Sequence, residues 1–186
     1  MKKLLIILFA VLSMSYLPGP RWDKGKIFER AELVLIGKVD KIISKRVILE
    51  SKYKEAGKEK LVKYVRYVFY AVVEVKHTLK GDEKEKKVEV FLGTSHGSDK
   101  YEHSTTHNTQ SRYFAEVNEA YLLELIKTRN GYEPLAYWNS LLKIAEDKGK
   151  ISLIPGVEKT QQKLTLKEYE ADRKVKLPKL NKFLVK

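Results

Sequence analysis

The sequence predicts a mostly-β protein, a curved and closed antiparallel sheet followed by a short C-terminal α-helix. Three observations carry this. From Tyr64 to His77 the side chains alternate strictly, with Val65, Tyr67, Phe69, Ala71, Val73 and Val75 on one face. That is the period of a long strand with one buried side. Gly37 interrupts an apolar strand, where a bulge or tight bend curves a sheet into a barrel. Thr165-Leu166-Lys167-Glu168 is a capping box, in which hydroxyl and carboxylate satisfy each other's backbone N–H and start a helix.

The elements follow in order. Met1-Lys2-Lys3, an apolar run from Leu4 to Leu12 and the small residues Ser13 and Ser15 have the layout of a secretory signal peptide. The run is shorter than the roughly 20 residues a bilayer span needs. An uncleaved anchor is the alternative. Cleavage after Ser15 leaves 171 residues with a charge of +11, in a bacterial periplasm or outside the cell. Residues 16–30 form a lead-in, with one helical turn at Ile27–Ala31. The first strand starts at Glu32. It is apolar on both sides at first, with Leu33, Leu35, Val39 and Ile43 of one parity and Val34, Ile36 and Ile42 of the other.

Lys45–Glu50 either continues this strand or begins its partner. Ser51–Lys63 is charged and lacks an apolar period, so it is expected to be a hairpin loop before the Tyr64–His77 strand. Leu79-Lys80-Gly81-Asp82 turns the chain, and Lys87–Leu92 is a further strand. Gly93–Arg112 is expected to be a long polar loop, of the functional or mobile kind. Tyr121–Ile126 is a strand, and Asn130-Gly131 marks a hairpin. Glu133–Ile144 holds the return strand, with Tyr137 and Trp138 as candidate core aromatics. Lys150–Ile154 is short and β-like. The capping box opens a helix of two to three turns, to about Lys174. The basic tail from Leu177 is expected to be loosely held. The expected organisation is a signal peptide over 1–15, a lead-in over 16–30, a barrel domain over 31–154, and a helix with a basic tail over 155–186.

Composition bounds the chemistry. The 186 residues are 43% hydrophobic, enough for a real core. The absence of cysteine excludes disulfides, thiolate zinc sites, iron–sulfur clusters and thiol catalysis. Lys+Arg number 37 against 24 Asp+Glu, a net charge of +13. Dispersed lysine reads first as simple solubility; the alternatives are attraction to an anionic envelope surface and, through basic grooves with tyrosines, stacking of single-stranded nucleic acid. Export removes most nucleic-acid partners, and Arg, the better bidentate phosphate ligand, is scarce.

The segments Ala31–Val39, Tyr70–Lys76, Leu79-Lys80-Gly81, Val88-Glu89-Val90 and Glu119–Leu125 together resemble a group of secreted proteins. The group is the netrin-like modules, similar to the inhibitory domain of tissue inhibitors of metalloproteinases. The resemblance spans roughly Ala31 to Ile154. It implies an OB-like, five-stranded Greek-key barrel, partly open, with ligand-binding potential on its loops. The animal inhibitors chelate their target's zinc through an N-terminal cysteine. This chain has none, so no functional residue is carried over.

One constellation has metal-ligand chemistry. His96, His103 and His107 share the polar segment with Asp99 and Glu102, and imidazoles bind zinc, copper or nickel. These three histidines are the candidate ligands, and a solvated His-rich loop is the alternative. A metal-dependent exported enzyme would use them, but no general base stands beside them. Ser95, His96 and Asp99 carry the letters of a triad within one short loop, without the frame that a triad needs. Asp82, Glu83 and Glu85 sit among lysines in a turn and read as a solvated, charge-balanced loop. No glycine-rich phosphate loop occurs, and no cofactor is expected. The expected function is therefore non-enzymatic, an exported binding module for an unidentified protein or anionic envelope component. Once its signal is removed, such a module is not integral to the membrane.

Overall fold

The computed structural model describes residues 24–82, 84, 86–96, 110–111, 115–136, 140–155 and 163–184. The protein is mostly β, with 65% of it in strands. After helix α1 (Lys24–Arg30) come β1 (Leu33–Glu55), β2 (Lys58–Lys80), β3 (Lys87–His96) and β4 (Gln110–Ser111). Then follow β5 (Ala120–Thr128), β6 (Gly131–Pro134), β7 (Leu141–Asp147), β8 (Lys150–Pro155) and β9 (Leu164–Thr165). Helix α2 (Leu166–Arg173) and a 3-10 turn (Leu180–Phe183) end the described chain.

Five strands close a barrel in the order β1-β2-β3-β6-β5, because β5 pairs back onto β1. Every pairing in the ring is antiparallel except β3–β6. That parallel contact is short, with Val90 opposite Tyr132. The architecture is consistent with the expected OB-like barrel. Strands β7, β8 and β9 extend the sheet beyond β5.

The double apolar parity of the first strand has a direct cause. Leu33, Leu35 and Val39 point into the barrel with Phe69, Ala71, Val73, Val90, Leu123 and Leu125. Val34 and Ile36 point outward, into a second core with Leu122, Leu142, Ile144, Leu153, Tyr169 and Leu180. Burying both faces requires a second layer, which α2 and the C-terminal segment supply. Phe69 and Val73 are buried in the barrel, and Tyr67 and Val75 pack against them half-buried.

Gly37 sits at a register shift, as expected of a bulge. A Cβ there would lie 2.3 Å from Val73 Cγ1 and 2.9 Å from the Glu74 carbonyl oxygen, so only glycine lets the two strands approach this closely. A second shift skips Asp40 and reverses the parity of β1. Ile42, rather than Ile43, therefore packs against the barrel core. The alternation of Leu33, Leu35 and Val39 does not continue to Ile43, because one extra residue turns every later side chain over.

The helix forms where the capping box starts it. Thr165 Oγ1 accepts from the Glu168 N–H at 3.2 Å, and Glu168 Oε2 accepts from the Thr165 N–H at 2.8 Å. Lys174 at φ 50° ends it. Its buried residues are Tyr169 and Arg173. Arg173 reaches Glu124 of β5, a carboxylate that also accepts from the Tyr169 hydroxyl at 2.9 Å.

Three expectations are corrected. Ser51–Lys63 is not a loop, because both strands run through it and only Ala56-Gly57 turns the chain. Gly93–His96 belongs to β3, paired with Arg66–Phe69. The C-terminal segment is held, with Leu180 buried in the outer core and the Leu177 N–H bonded to Glu170 Oε1 at 2.8 Å. Tyr137 and Trp138 lie outside the described residues, as does the proposed signal peptide.

Candidate interaction ribbon

Beyond the barrel, β1 and β2 continue as a two-stranded ribbon. The ladder is unbroken from Lys41 opposite Val72 to Glu55 opposite Lys58. Strand β5 leaves β1 after Lys38, and β3 leaves β2 before Arg66. Past those points no described strand pairs with either outer edge. The eleven residues from Lys45 to Glu55 give the ribbon a reach of about 35 Å. A two-residue hairpin closes it, with Ala56 at φ 49° and Gly57 at φ 78°, both left-handed as a type I′ turn requires.

The register assigns the faces, since directly opposed residues share one. One face carries Val47, Leu49, Ser51 and Tyr53 opposite Arg66, Tyr64, Val62 and Lys60. The other carries Arg46, Ile48, Glu50, Lys52 and Lys54 opposite Tyr67, Val65, Lys63, Leu61 and Glu59. Apolar side chains on both faces stay in water: Ile48 is 58% exposed, Leu61 52%, Tyr53 44%, Val62 41% and Val47 36%. Almost all the large exposed hydrophobics among the described residues are on this ribbon, with Val117 the exception. Clustered exposed apolar groups of this kind mark interaction surfaces.

Charge is interleaved with them. Between Lys45 and Arg66 there are eight basic and three acidic residues, a surplus of five positive charges. Lys63 pairs with Glu50 at 2.8 Å, and Lys60 pairs with Glu55. Lys52, Lys54 and Lys58 pair with no carboxylate among the described residues. The base of the ribbon is tied to β3. Lys45 bonds Glu89 and lies 4.4 Å from the Tyr70 ring centre, and Lys87 bonds Asp40 at 2.7 Å. The hydrogen bond from Lys87, and then its charge, hold the Asp40 carboxyl below its ordinary value; the same hydrogen bond, and then the Asp40 charge, hold the Lys87 ammonium above its own.

A concavity of about 580 Å³ lies between β7 and the C-terminal segment. Lys143 lines it, bonded to Glu116 and 3.3 Å from Glu119. Burial lowers the Lys143 pKa, but these two carboxylates outweigh it and leave the ammonium held above its ordinary value. This is a satisfied ion cluster, with no nucleophile and base brought together.

The candidate metal ligands lie mostly outside the described residues. His96 is the last residue of β3, while His103, His107, Asp99 and Glu102 lie outside the described residues. Among the described residues no group of three or more His, Asp or Glu side chains could hold a metal ion. Ser95 is buried within β3. Among the described residues, no helix is long and apolar enough to cross a membrane.

Sequence reasoning missed the ribbon because its segments carry no apolar period, and a strand that buries neither face leaves none. The available signals were the Ala56-Gly57 pair and the interleaving of Lys with Tyr53, Leu61 and Val62. No protein-family model, curated protein or solved structure matches the chain.

Proposed function

We propose that the protein is an exported, non-enzymatic interaction module on an OB-like barrel, related to the netrin-like group, and that the β1–β2 ribbon is its contact element. Its partner is a protein or an anionic component of the envelope. One observation supports this above the others: a two-stranded ribbon reaches out of a well-packed barrel and holds five large apolar side chains in water beside a surplus of positive charge. A chain that needed only stability would gain nothing from it, because an exposed two-stranded ribbon is at best marginally stable on its own. In OB barrels the connection between the first two strands is one of the ligand-contacting elements, and the ribbon occupies that place.

The test is excision. Removing Ile48–Glu55 and Lys58–Val65 brings Ala56-Gly57 between Val47 and Arg66, a directly opposed pair of the same parity as Glu55 and Lys58. The shortened hairpin keeps its register, and the barrel core is untouched. The native protein is expected to co-fractionate with envelope material, and the excised variant, equally folded by circular dichroism, to be released. Equal retention of the two would overturn the reading.

A further inference from the structure

We infer that the ribbon's partner surface is an anionic phospholipid bilayer, with the ribbon lying in the headgroup layer. This rests on the ribbon being the contact element and names what it contacts.

The charge surplus comes first. A second copy of the chain would bring the same five positive charges against the first, on strands whose free edges already carry lysines that discourage edge pairing. The occupant is therefore anionic. The placement of the apolar groups narrows it further. Val47, Tyr53 and Val62 are exposed on one face and Ile48 and Leu61 on the other. A protein groove covers one face of a ribbon and leaves the other wet. A fluid interfacial layer surrounds both.

The kind of charge agrees. Six of the eight basic residues are lysines, which act as point charges on long apolar stems. Such side chains can lay their stems along acyl chains while the ammonium stays among lipid phosphates. Bidentate recognition of a shaped acidic site would favour arginine instead. Lys52, Lys54 and Lys58 flank the turn without a carboxylate partner among the described residues, and Tyr53 stands between two of them. Tyrosine is enriched at the membrane interface. Both the apolar and the electrostatic contributions are thus present in one element, and the combination of the two distinguishes stable interfacial binding from loose attraction.

The experiment is co-sedimentation of the full chain with vesicles of mixed phosphatidylglycerol and phosphatidylcholine, and with vesicles of phosphatidylcholine alone. Because the apolar run at Leu4–Leu12 would itself bind lipid, the readout is the difference between the native chain and its ribbon variants. The native chain is expected to exceed the excised variant strongly on anionic vesicles and much less on neutral ones. Reversing one charge with Lys54→Glu should weaken binding to anionic vesicles by roughly fivefold or more. The triple variant Val47→Ser, Tyr53→Ser, Val62→Ser touches no core residue and should weaken it by about tenfold or more.

Unchanged binding by the triple variant would overturn the inference, since the attraction would then be to polyanions in general. So would an acidic polypeptide or a single-stranded oligonucleotide that competes as well as lipid does. If the native chain shows no advantage on anionic vesicles, yet excision still releases it from envelope material, the lipid inference falls and the interaction-module reading stands. If excision changes neither, both fall.

Discussion

The carboxylate of Glu124 and the guanidinium of Arg173, 49 positions apart in the chain, meet at 3.1 Å with both side chains closed off from water. Glu124 stands on the outward face of β5 and Arg173 in the last turn of α2. The Tyr169 hydroxyl and Ser140 Oγ complete the carboxylate's partners, at 2.9 and 3.4 Å. Burial, followed by the Glu124 charge, pushes the Tyr169 hydroxyl far above its ordinary pKa, so it remains a donor at any working pH.

This cluster fixes α2 to the barrel. Glu124→Ala leaves a buried cation without its carboxylate and should cost about 3–5 kcal/mol in urea unfolding. Replacing both partners with Glu124→Leu and Arg173→Met removes the unpaired charge but leaves the Tyr169 hydroxyl and Ser140 Oγ without their acceptor, so it should recover only part of that loss. A double variant as unstable as Glu124→Ala would show that the unpaired Arg173 charge is not what makes the single variant unstable.

Gly37→Ala should destabilise the barrel by roughly 1–3 kcal/mol, since the new methyl overlaps Val73 and the Glu74 carbonyl. Adding Val73→Ala removes the side-chain overlap but leaves the backbone one. The double variant should therefore be less unstable than the sum of the two singles. Additive losses would place the strain in the backbone alone.

Ala56 holds a left-handed conformation at the first turn position, where asparagine is favoured over alanine. Ala56→Asn should stabilise the ribbon locally by about 0.5–1 kcal/mol. Slower amide exchange in Glu50–Lys63 with an unchanged global unfolding midpoint is the expected signature. Faster exchange would count against a type I′ turn.

Two exposed carboxylates contribute to the acid limb of stability. Lys87 holds Asp40 below 3.8, and the hydrogen bond from Lys76 holds Glu74 below 4.5. A depressed folded-state pKa stabilises fully above the unfolded value and less as the pH falls through the folded one. Thermal midpoints should therefore decline through the acid range below those values. Asp40→Asn should flatten that decline by lowering the neutral-pH midpoint slightly while leaving the low-pH midpoint unchanged. An identical acid profile would remove the Asp40–Lys87 pair from the account.

Much of the fold could be read from residues whose burial leaves a period. The β2 alternation, the Gly37 bulge and the Thr165–Glu168 cap are local signals, and each appears in the structure as expected. The bulge at Asp40 left no such trace, because one extra residue within a charged stretch changes parity silently. The ribbon from Lys45 to Arg66 left little more, since a strand exposed on both faces is not constrained to alternate. The Glu124–Arg173 pair was hidden for another reason: each residue alone looks like an ordinary surface charge.

The amino-acid order by itself determined the strands that bury a face, where the helix begins and that no cysteine chemistry is open to the protein. These follow from propensity, side-chain period and composition, which act over a few neighbouring residues. Only the tertiary structure decided that α2 covers the outer face of β1 and β5, that Glu124 is neutralised from 49 positions away, and that a basic, apolar ribbon is left standing in water. Burial and exposure are properties of what packs opposite a residue, and the chain brings those partners together only when the barrel closes.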